Sequence, residues 1–379
     1  MKYVQINAFS NGWAPSIIFK KHDQLRAQGH DSYVFWARGA HKQDVHMQKF
    51  AGPFAVYVDA FQTHIDGKAG FHSTGPTKRL IKQLEKIDPD VVHLHVLLRY
   101  SVNINLLFQW LATHRCKVIW TLHDCWAFTG HCIYFTQAKC SQWKQGCCAD
   151  GAKCPQEKEY PKCWFRPNVA WNYQAKRRLF TMLPPERLSF QAPSQWLAGL
   201  LKESFLKDYD VTVVPNSINT SIFRPQESRF KEDHGIGESF AVLGVSDGWT
   251  ERKGLDDFLR LANELDERFS VVVVGLTNKQ IKRLGAAARQ ATCAKLILLP
   301  RTATPEDLAR IYAGCDVLFN PTQEDNYPTV NLEAEACGTP VITYDVGGCR
   351  ETIKLPTSCA VRSYEEAKRK ITQLAPTRR

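Results

Sequence analysis

The chain has 379 residues, of which 44% are hydrophobic. That is enough for two domains of ordinary size, and too apolar for a disordered or fibrous chain. No apolar run reaches the roughly 18 residues of a membrane-crossing helix. The net charge of +11 is lopsided: residues 1–190 carry 25 Lys and Arg against 13 Asp and Glu, and residues 191–379 carry 24 against 25. A first half at +12 beside a second half at −1 suits an anionic partner, a lipid surface ahead of a nucleic acid.

Strands and helices alternate from the start, as in parallel sheets with helical crossovers. Met1-Lys-Tyr-Val-Gln-Ile-Asn enters a strand over 3–9 directly, so no signal peptide is expected and a cytoplasmic location is. A helix is predicted over 16–28, a strand over 32–37 and a basic amphipathic helix over 76–87. Buried strands follow over 90–96 and 117–122, with a helix over 103–114 between them. Residues 125–165 have no regular period and hold seven cysteines, an insertion on the α/β frame. A helix over 167–182, a strand over 188–192, a helix over 195–205 and a short strand over 211–215 complete the first half. The turn-rich Val214-Pro-Asn-Ser-Ile-Asn-Thr is placed at a hinge. The second half repeats the pattern. Its strands are expected over 240–245, 270–275, 295–299, 316–320 and 341–344, and its helices over 254–267, 278–290, 305–313, 329–337 and 363–374. Three segments result: 1–213, 214–360 and a C-terminal helical stretch, 361–379, placed as packing back across the hinge.

The most informative stretch runs from Asp325 to Pro340. A strand, a turn and a helix start carry two carboxylates, Asp325 and Glu333, eight positions apart. Open parallel sheets place ligands at the carboxyl ends of their strands, and a helix N-terminus offers N–H groups to an anion. Lys253, just before a glycine that opens a helix, suits a developing negative charge, with Arg252 beside it. His123 and Asp124 end a buried strand. His93 and His95 alternate along another and face the same way. Clustered thiols in a cytosolic chain point to metal more than to disulfides, although free buried thiols fit as well.

In order and spacing, these segments resemble glycosyltransferase family 4, in its colanic-acid or exopolysaccharide branch. The resemblance is carried by Trp120-Thr-Leu-His-Asp-Cys-Trp, Ala192-Pro-Ser-Gln-Trp196, Val214-Pro-Asn-Ser-Ile-Asn, Glu251-Arg-Lys-Gly254, Asp325 to Pro340 and Val346-Gly-Gly-Cys-Arg-Glu351. It implies an α/β fold of the GT-B kind: two facing Rossmann-like domains with a cleft between them, acceptor on the first and nucleotide-sugar on the second. It implies a retaining transfer, in which the leaving phosphate takes the acceptor's proton. The catalytic positions would be His123, Asp124, Lys253 and Asp325. Gly12, Arg252, Lys253, Asn326, Tyr327, Pro328, Thr329, Glu333, Gly347 and Gly348 would hold the donor, with Glu333 on the ribose. The donor would be a UDP- or GDP-sugar. The acceptor would be polyprenyl-pyrophosphate-linked or lipopolysaccharide, met at the inner membrane face by a peripherally bound enzyme. No nucleic acid and no catalytic cofactor is expected. Cys132, Cys140, Cys147 and Cys154 match the family's recurring thiols and would hold a structural zinc, with Cys148 or His131 as substitutes. The chain departs from the family at Gly248, where an arginine is usual, in the glycine-poor loop Ser10–Ser16, and at Val96-Leu-Leu-Arg-Tyr-Ser. Those departures keep two other readings open: a non-catalytic protein that binds anionic glycan or nucleic acid, and a sugar-nucleotide epimerase.

Overall fold

The computed structural model describes residues 1–288 and 294–376. It divides into two compact units, Met1–Pro215 and Asn216–Arg379, two residues beyond the hinge placed from sequence. The last residues of the helix expected over 278–290, and residues 377–379 of the C-terminal stretch, lie outside the described residues.

In chain order the first unit contains β1 (Lys2–Phe9), α1 (Trp13–Ala27), β2 (Asp31–Arg38), β3 (Met47–Lys49), α2 (Pro53–Asp66) and α3 (Thr74–Ile87). Then come β4 (Val91–Leu94), α4 (Ile104–Thr113), β5 (Lys117–Thr121), α5 (Val169–Phe180), β6 (Leu188–Ala192), α6 (Gln195–Lys202) and β7 (Val211–Val213). Its seven strands lie in the order β3-β2-β1-β4-β5-β6-β7, and each neighbouring pair is parallel. β3 and α2 were not expected from sequence. The segment from Cys125 onward leaves the sheet after β5 and folds as short 3-10 turns at 126–128, 142–144 and 149–151. An aromatic cluster fastens it: Phe135 stacks on Trp143 at 4.8 Å and Phe128 tilts against Trp143 at 5.3 Å. The twelve described cysteines are all unbridged.

The second unit contains α7 (Phe230–Asp233), β8 (Phe240–Val245), α8 (Leu255–Glu264), β9 (Phe269–Leu276), α9 (Asn278–Ala288) and β10 (Lys295–Pro300). It continues with α10 (Pro305–Ala313), β11 (Val317–Asn320), α11 (Thr329–Ala336), β12 (Val341–Tyr344), β13 (Cys359–Val361) and α12 (Tyr364–Leu374). Its order is β10-β9-β8-β11-β12-β13, again parallel throughout. Both orders reverse direction once, beside β1 and beside β8, and such switch points are where open α/β sheets bind ligands. One face of this sheet packs against α8 and α12, the other against α10 and α11. α12 sits on its own unit through Tyr364, Ala367 and Ile371, and Lys368 pairs with Glu264 at 2.9 Å.

At the end of β9 the chain presses on the end of β8. Gly275 has φ +95°, and a Cβ there would lie 1.7 Å from the Ser246 carbonyl oxygen. Gly275→Ala therefore meets both a left-handed backbone and a backbone clash. It is expected to lower stability by about 3 kcal/mol or more. Urea unfolding with an unchanged slope and a lower midpoint is the measurement; an unchanged midpoint contradicts this packing.

Candidate active site

The second unit gathers most of the predicted positions at its switch point. After β8 the chain runs through Gly248 into a 3-10 turn, Glu251–Lys253. After β11 it runs through Glu324 and Asp325 to α11. Lys253 Nζ lies 2.6 Å from Asp325 Oδ2, and both side chains are largely shielded from solvent. Two further bonds tie the same strand ends together: the Gln323 N–H donates to the Arg252 carbonyl at 2.8 Å, and the Arg252 guanidinium donates to the Glu324 carbonyl. Glu324, one place off the family spacing, is buried.

The turn after β12 closes on the same point. The Gly348 N–H donates to the Asp325 carbonyl at 3.1 Å. Gly347 has φ +56°, and a Cβ there would lie 1.9 Å from that carbonyl oxygen, so only glycine fits. Arg350 is held in a two-bond pair with Asp345, at 2.9 and 2.5 Å. Around Gly248, φ +141°, there is open space within 4 Å of where a Cβ would stand.

Pro328 precedes α11 and supplies no side-chain cap, so the first-turn N–H groups of Thr329 and its successors have no side-chain acceptor from the cap position. Asn326 and Tyr327 are buried. The Tyr327 carbonyl accepts from Asn216 Nδ2 at 3.0 Å, which fixes the turn. On α11 itself Asn331 links Asn320 of β11, at 2.9 Å, to Thr352, at 2.8 Å. Glu333, two residues further on, accepts a hydrogen bond from the Tyr312 hydroxyl at 3.0 Å. Burial raises its carboxyl from 4.5 to about 7, against the opposing hydrogen bonds of Tyr312 and Thr329. Tyr312 was not singled out from sequence. Its signal was its phase: Ala309 and Tyr312 share the buried face of α10. A separate pocket of this unit, lined by Gln323, Tyr344, Asp345 and Arg362, includes none of Lys253, Asp325 and Glu333.

In the first unit Gly12, φ +102°, is exposed and sits at the N-cap of α1, just after β1. Next to β1, β4 and β5 end in a histidine stack. The rings of His93 and His95 are 4.2 Å apart, and those of His95 and His123 are 5.9 Å apart. His93 Nε2 bonds the Thr121 hydroxyl at 2.8 Å; since that hydroxyl donates to Gln191, the imidazole nitrogen is the donor. Both ring nitrogens of His95 are buried without a hydrogen-bond partner. Burial holds all three rings neutral, with His93 lowered to about 3 and His123 to about 4. Asp124 accepts from the Trp126 N–H at 2.9 Å and caps the 3-10 turn that opens the insertion. Burial raises its carboxyl, opposed by the Trp126 bond, Arg99 and Lys176.

Arg99 and Tyr100, in the run that departs from the family pattern, both sit at positive φ, +86° and +61°. The Arg99 guanidinium lies 4.5 Å over the Tyr160 ring, a side chain from the insertion. Lys176, also missed from sequence, is buried at 1% exposure. Its Nζ donates to the Trp126 carbonyl at 2.6 Å and stands 4.1 Å over that indole. Burial lowers it to about 7, opposed by Cys147, Cys132 and Asp124.

Cys132, Cys147 and Cys154 are buried and Cys140 half-buried. Burial raises Cys147 to about 12 and Cys154 to about 11, and Cys140 adds to the rise in each. Four thiols suit zinc in kind. Among the described residues, however, no group of three or more His, Cys, Asp or Glu converges as metal ligands. Cys147 Sγ instead accepts the Gly130 N–H at 3.2 Å.

Residues 21–222 match the family model described as Glycosyltransferase Family 4, and residues 226–375 match Glycosyl transferases group 1. A protein of Escherichia coli (strain K12) named as a colanic acid biosynthesis glycosyl transferase, WcaC, is 28% identical over 70% of this chain. The match spans 62% of that relative's length, less than two thirds of it. Among solved structures, a sucrose-phosphate synthase from Thermosynechococcus elongatus aligns with a TM-score of 0.69 at 15% identity, covering 98% of this chain and 89% of the other. Alr3699/HepE of Anabaena, solved with UDP-glucose, aligns at 0.65 and 14% identity, with 98% and 89% coverage. At such identities the likeness shows the fold, which is GT-B.

The raised carboxyl of Glu333 has a consequence for stability. Between pH 4.5 and 7 the folded chain keeps this proton while the unfolded chain releases it, so folding weakens as pH rises through that window. Glu333→Gln removes the penalty and keeps the Tyr312 bond. The variant should match the parent near pH 4 and exceed it by roughly 1–3 kcal/mol at pH 8. Melting curves at the two pH values test this; a gain independent of pH contradicts it.

Proposed function

We propose, from the premise that this chain belongs to Glycosyltransferase Family 4, that it moves a sugar from a UDP- or GDP-sugar to a lipid-linked or polysaccharide acceptor, with retention at the anomeric carbon. The acceptor is a polyprenyl-pyrophosphate oligosaccharide or lipopolysaccharide, in the assembly of exopolysaccharide, capsule or lipopolysaccharide. It is met at the inner face of the membrane by a cytoplasmic, peripherally bound enzyme. The observation that carries the reading is the Lys253–Asp325 pair at a switch point, closed over by Gly347 and Gly348. The colanic-acid relative supports a polysaccharide acceptor, and the UDP-glucose complex of Alr3699/HepE supports a uridine donor.

The chemistry follows from where charge develops. The bond between the anomeric carbon and the diphosphate oxygen breaks, and negative charge grows on the leaving group. Lys253 and the first-turn N–H groups of α11 are fixed donors for that charge and need no reorganisation when it appears. Asp325 holds the ammonium in place before the donor arrives and then faces the donor sugar. Glu333 accepts the ribose hydroxyls, as an ionised carboxylate can. Arg252, held through its guanidinium on the Glu324 carbonyl, keeps the two strand ends in register. His123, neutral at physiological pH, meets the sugar as a hydrogen-bonding ring and not as a cation. The acceptor hydroxyl's proton goes to the departing phosphate oxygen.

Thermal stabilisation by UDP-, GDP- and ADP-sugars tests this, because a ligand that binds only the folded state raises its melting temperature. One nucleotide class should stabilise the parent, with the shift lost in Lys253→Ala and Glu333→Ala. Turnover in Lys253→Ala should fall about 100-fold or more. No shift with any donor, alone or with acceptor, favours the non-catalytic reading that the missing arginine at Gly248 kept open.

Donor affinity should also rise from pH 6 to pH 8, because Glu333 must lose its proton near 7 to accept two hydroxyls. Glu333→Gln should flatten that dependence. Titration of donor binding at several pH values reads it directly, and an unchanged slope in the variant removes Glu333 from the ribose.

A structural zinc on Cys132, Cys140, Cys147 and Cys154 is proposed as the clasp of the insertion. Purified protein should carry one equivalent of zinc by elemental analysis, and Cys147→Ser should lose it. Protein that is stable and metal-free leaves the aromatic cluster as the clasp.

A further inference from the structure

α2 is turned inside out. Its buried positions are Val56, Asp59 and Thr63. Its outer face carries Phe54, Tyr57, Val58, Phe61 and Ile65, exposed at 81, 74, 38, 56 and 40%. Spacings of three and four place these five along one stripe. A surface helix ordinarily hides such a stripe. Here its polar side is anchored inward: the Ser73 hydroxyl donates to Asp59, and the Thr63 hydroxyl donates to the same carboxylate at 3.2 Å. Rotating the helix to bury its aromatics would break both bonds and leave the buried Ser73 hydroxyl without this acceptor.

The stripe is extended by the insertion. The Trp164 N–H donates to the His64 carbonyl at 2.6 Å, which docks Trp164 and Phe165 beside the C-terminal half of α2. The Trp164 ring meets Phe61 edge-on at 5.6 Å. Trp164 and Phe165 are exposed at 63 and 69%. Two segments distant in sequence thus build one exposed aromatic and aliphatic surface.

Charge decides what covers it. Apart from Pro53 and this stripe, the only exposed residue of α2 is Gln62; its part-exposed carboxylate, Asp66, is paired with His72 at 3.0 Å. Lys162 and Arg166 bracket the aromatic pair and are exposed. Lys68 stands 4.6 Å over Trp171, a further part-exposed indole of this unit. A second copy would bring like charge against like. An anionic bilayer offers both a wet apolar boundary for the rings and negative headgroups for the cations.

We propose that the outer face of α2, with Trp164 and Phe165, is the surface by which this chain lies on a bilayer containing anionic lipid. This deepens the membrane location proposed above by naming its contact face. Flotation with phosphatidylglycerol–phosphatidylcholine vesicles tests it, against vesicles of phosphatidylcholine alone. The parent chain should float with the anionic vesicles at low salt and much less with the neutral ones. Phe54→Ser with Phe61→Ser should weaken the partition about tenfold or more, and Lys162→Glu with Arg166→Glu should weaken it and flatten its salt dependence. All these side chains are exposed, so the melting temperature and the donor-induced shift should match the parent. Equal flotation with both vesicle types, or an unchanged partition in the aromatic variant, overturns the proposal. So does a parent dimer in sedimentation that the aromatic variant dissociates. If no form responds to any donor while flotation behaves as stated, it is the transferase reading that fails and the lipid surface that stands.

Discussion

An ammonium and a carboxylate 2.6 Å apart, at the one place where the strand order of the second unit reverses, are the pair on which the rest of that unit is arranged. Parallel strands deliver their carboxyl ends to a single edge, so residues separated by 72 positions meet without any local sequence signal. Each surrounding contact makes sense as a means of keeping those ends together. Arg252 reaches the Glu324 backbone carbonyl. Gly347 lets a second turn lie against the first. Asn331 spans from β11 to Thr352. A rigid cation of this kind suits a reaction whose charge appears late, since a mobile lysine would have to be ordered at the moment it was needed.

Burial acts in one direction on the polar groups around both switch points. Glu333, Asp124, Lys176, His93, His95 and His123 are each pushed toward neutrality by burial. That pattern works against folding, because each group would be better solvated in the unfolded chain. It is what a site for a sugar requires. Neutral rings and a protonated carboxyl bring no cost of displaced ions, and one deprotonation then supplies an acceptor for two hydroxyls. Lys253 and Asp325 face each other directly, 2.6 Å apart.

Much of this was legible from sequence because periodicity reports burial. The buried central strands of both sheets announced themselves as apolar runs, and α10 and α11 begin at the expected positions, 305 and 329. α2 was missed for a reason that its structure explains. Its aromatics and β-branched residues lie on the outer face, where a surface helix ordinarily carries polar side chains. β3 and β13 are three residues each, too short for a period to develop. Lys176 was hidden by Arg177 and Arg178, which made the segment look solvated. Its spacing from Asn172, Tyr173, Leu179 and Phe180 was the available clue. The arginine and tyrosine at positive φ after β4 could not be foreseen. A left-handed conformation is rare for such side chains, and the stacking of Arg99 on Tyr160 that accompanies it depends on a partner about sixty residues away.

The insertion connects these observations. A chain that only needed a parallel sheet would pass from β5 to α5 directly. Instead, the excursion between them places Trp126 over Lys176, Tyr160 under Arg99, and Trp164 against α2. It therefore touches the loop after β4, the strand end that carries His123 and Asp124, and the exposed apolar stripe. Cation–π contacts, the one between Lys176 and Trp126 buried, and aromatic stacking fix its loops without regular hydrogen-bonded structure. The insertion is accordingly the element of this unit that borders both the α2 stripe and the strand end carrying His123 and Asp124.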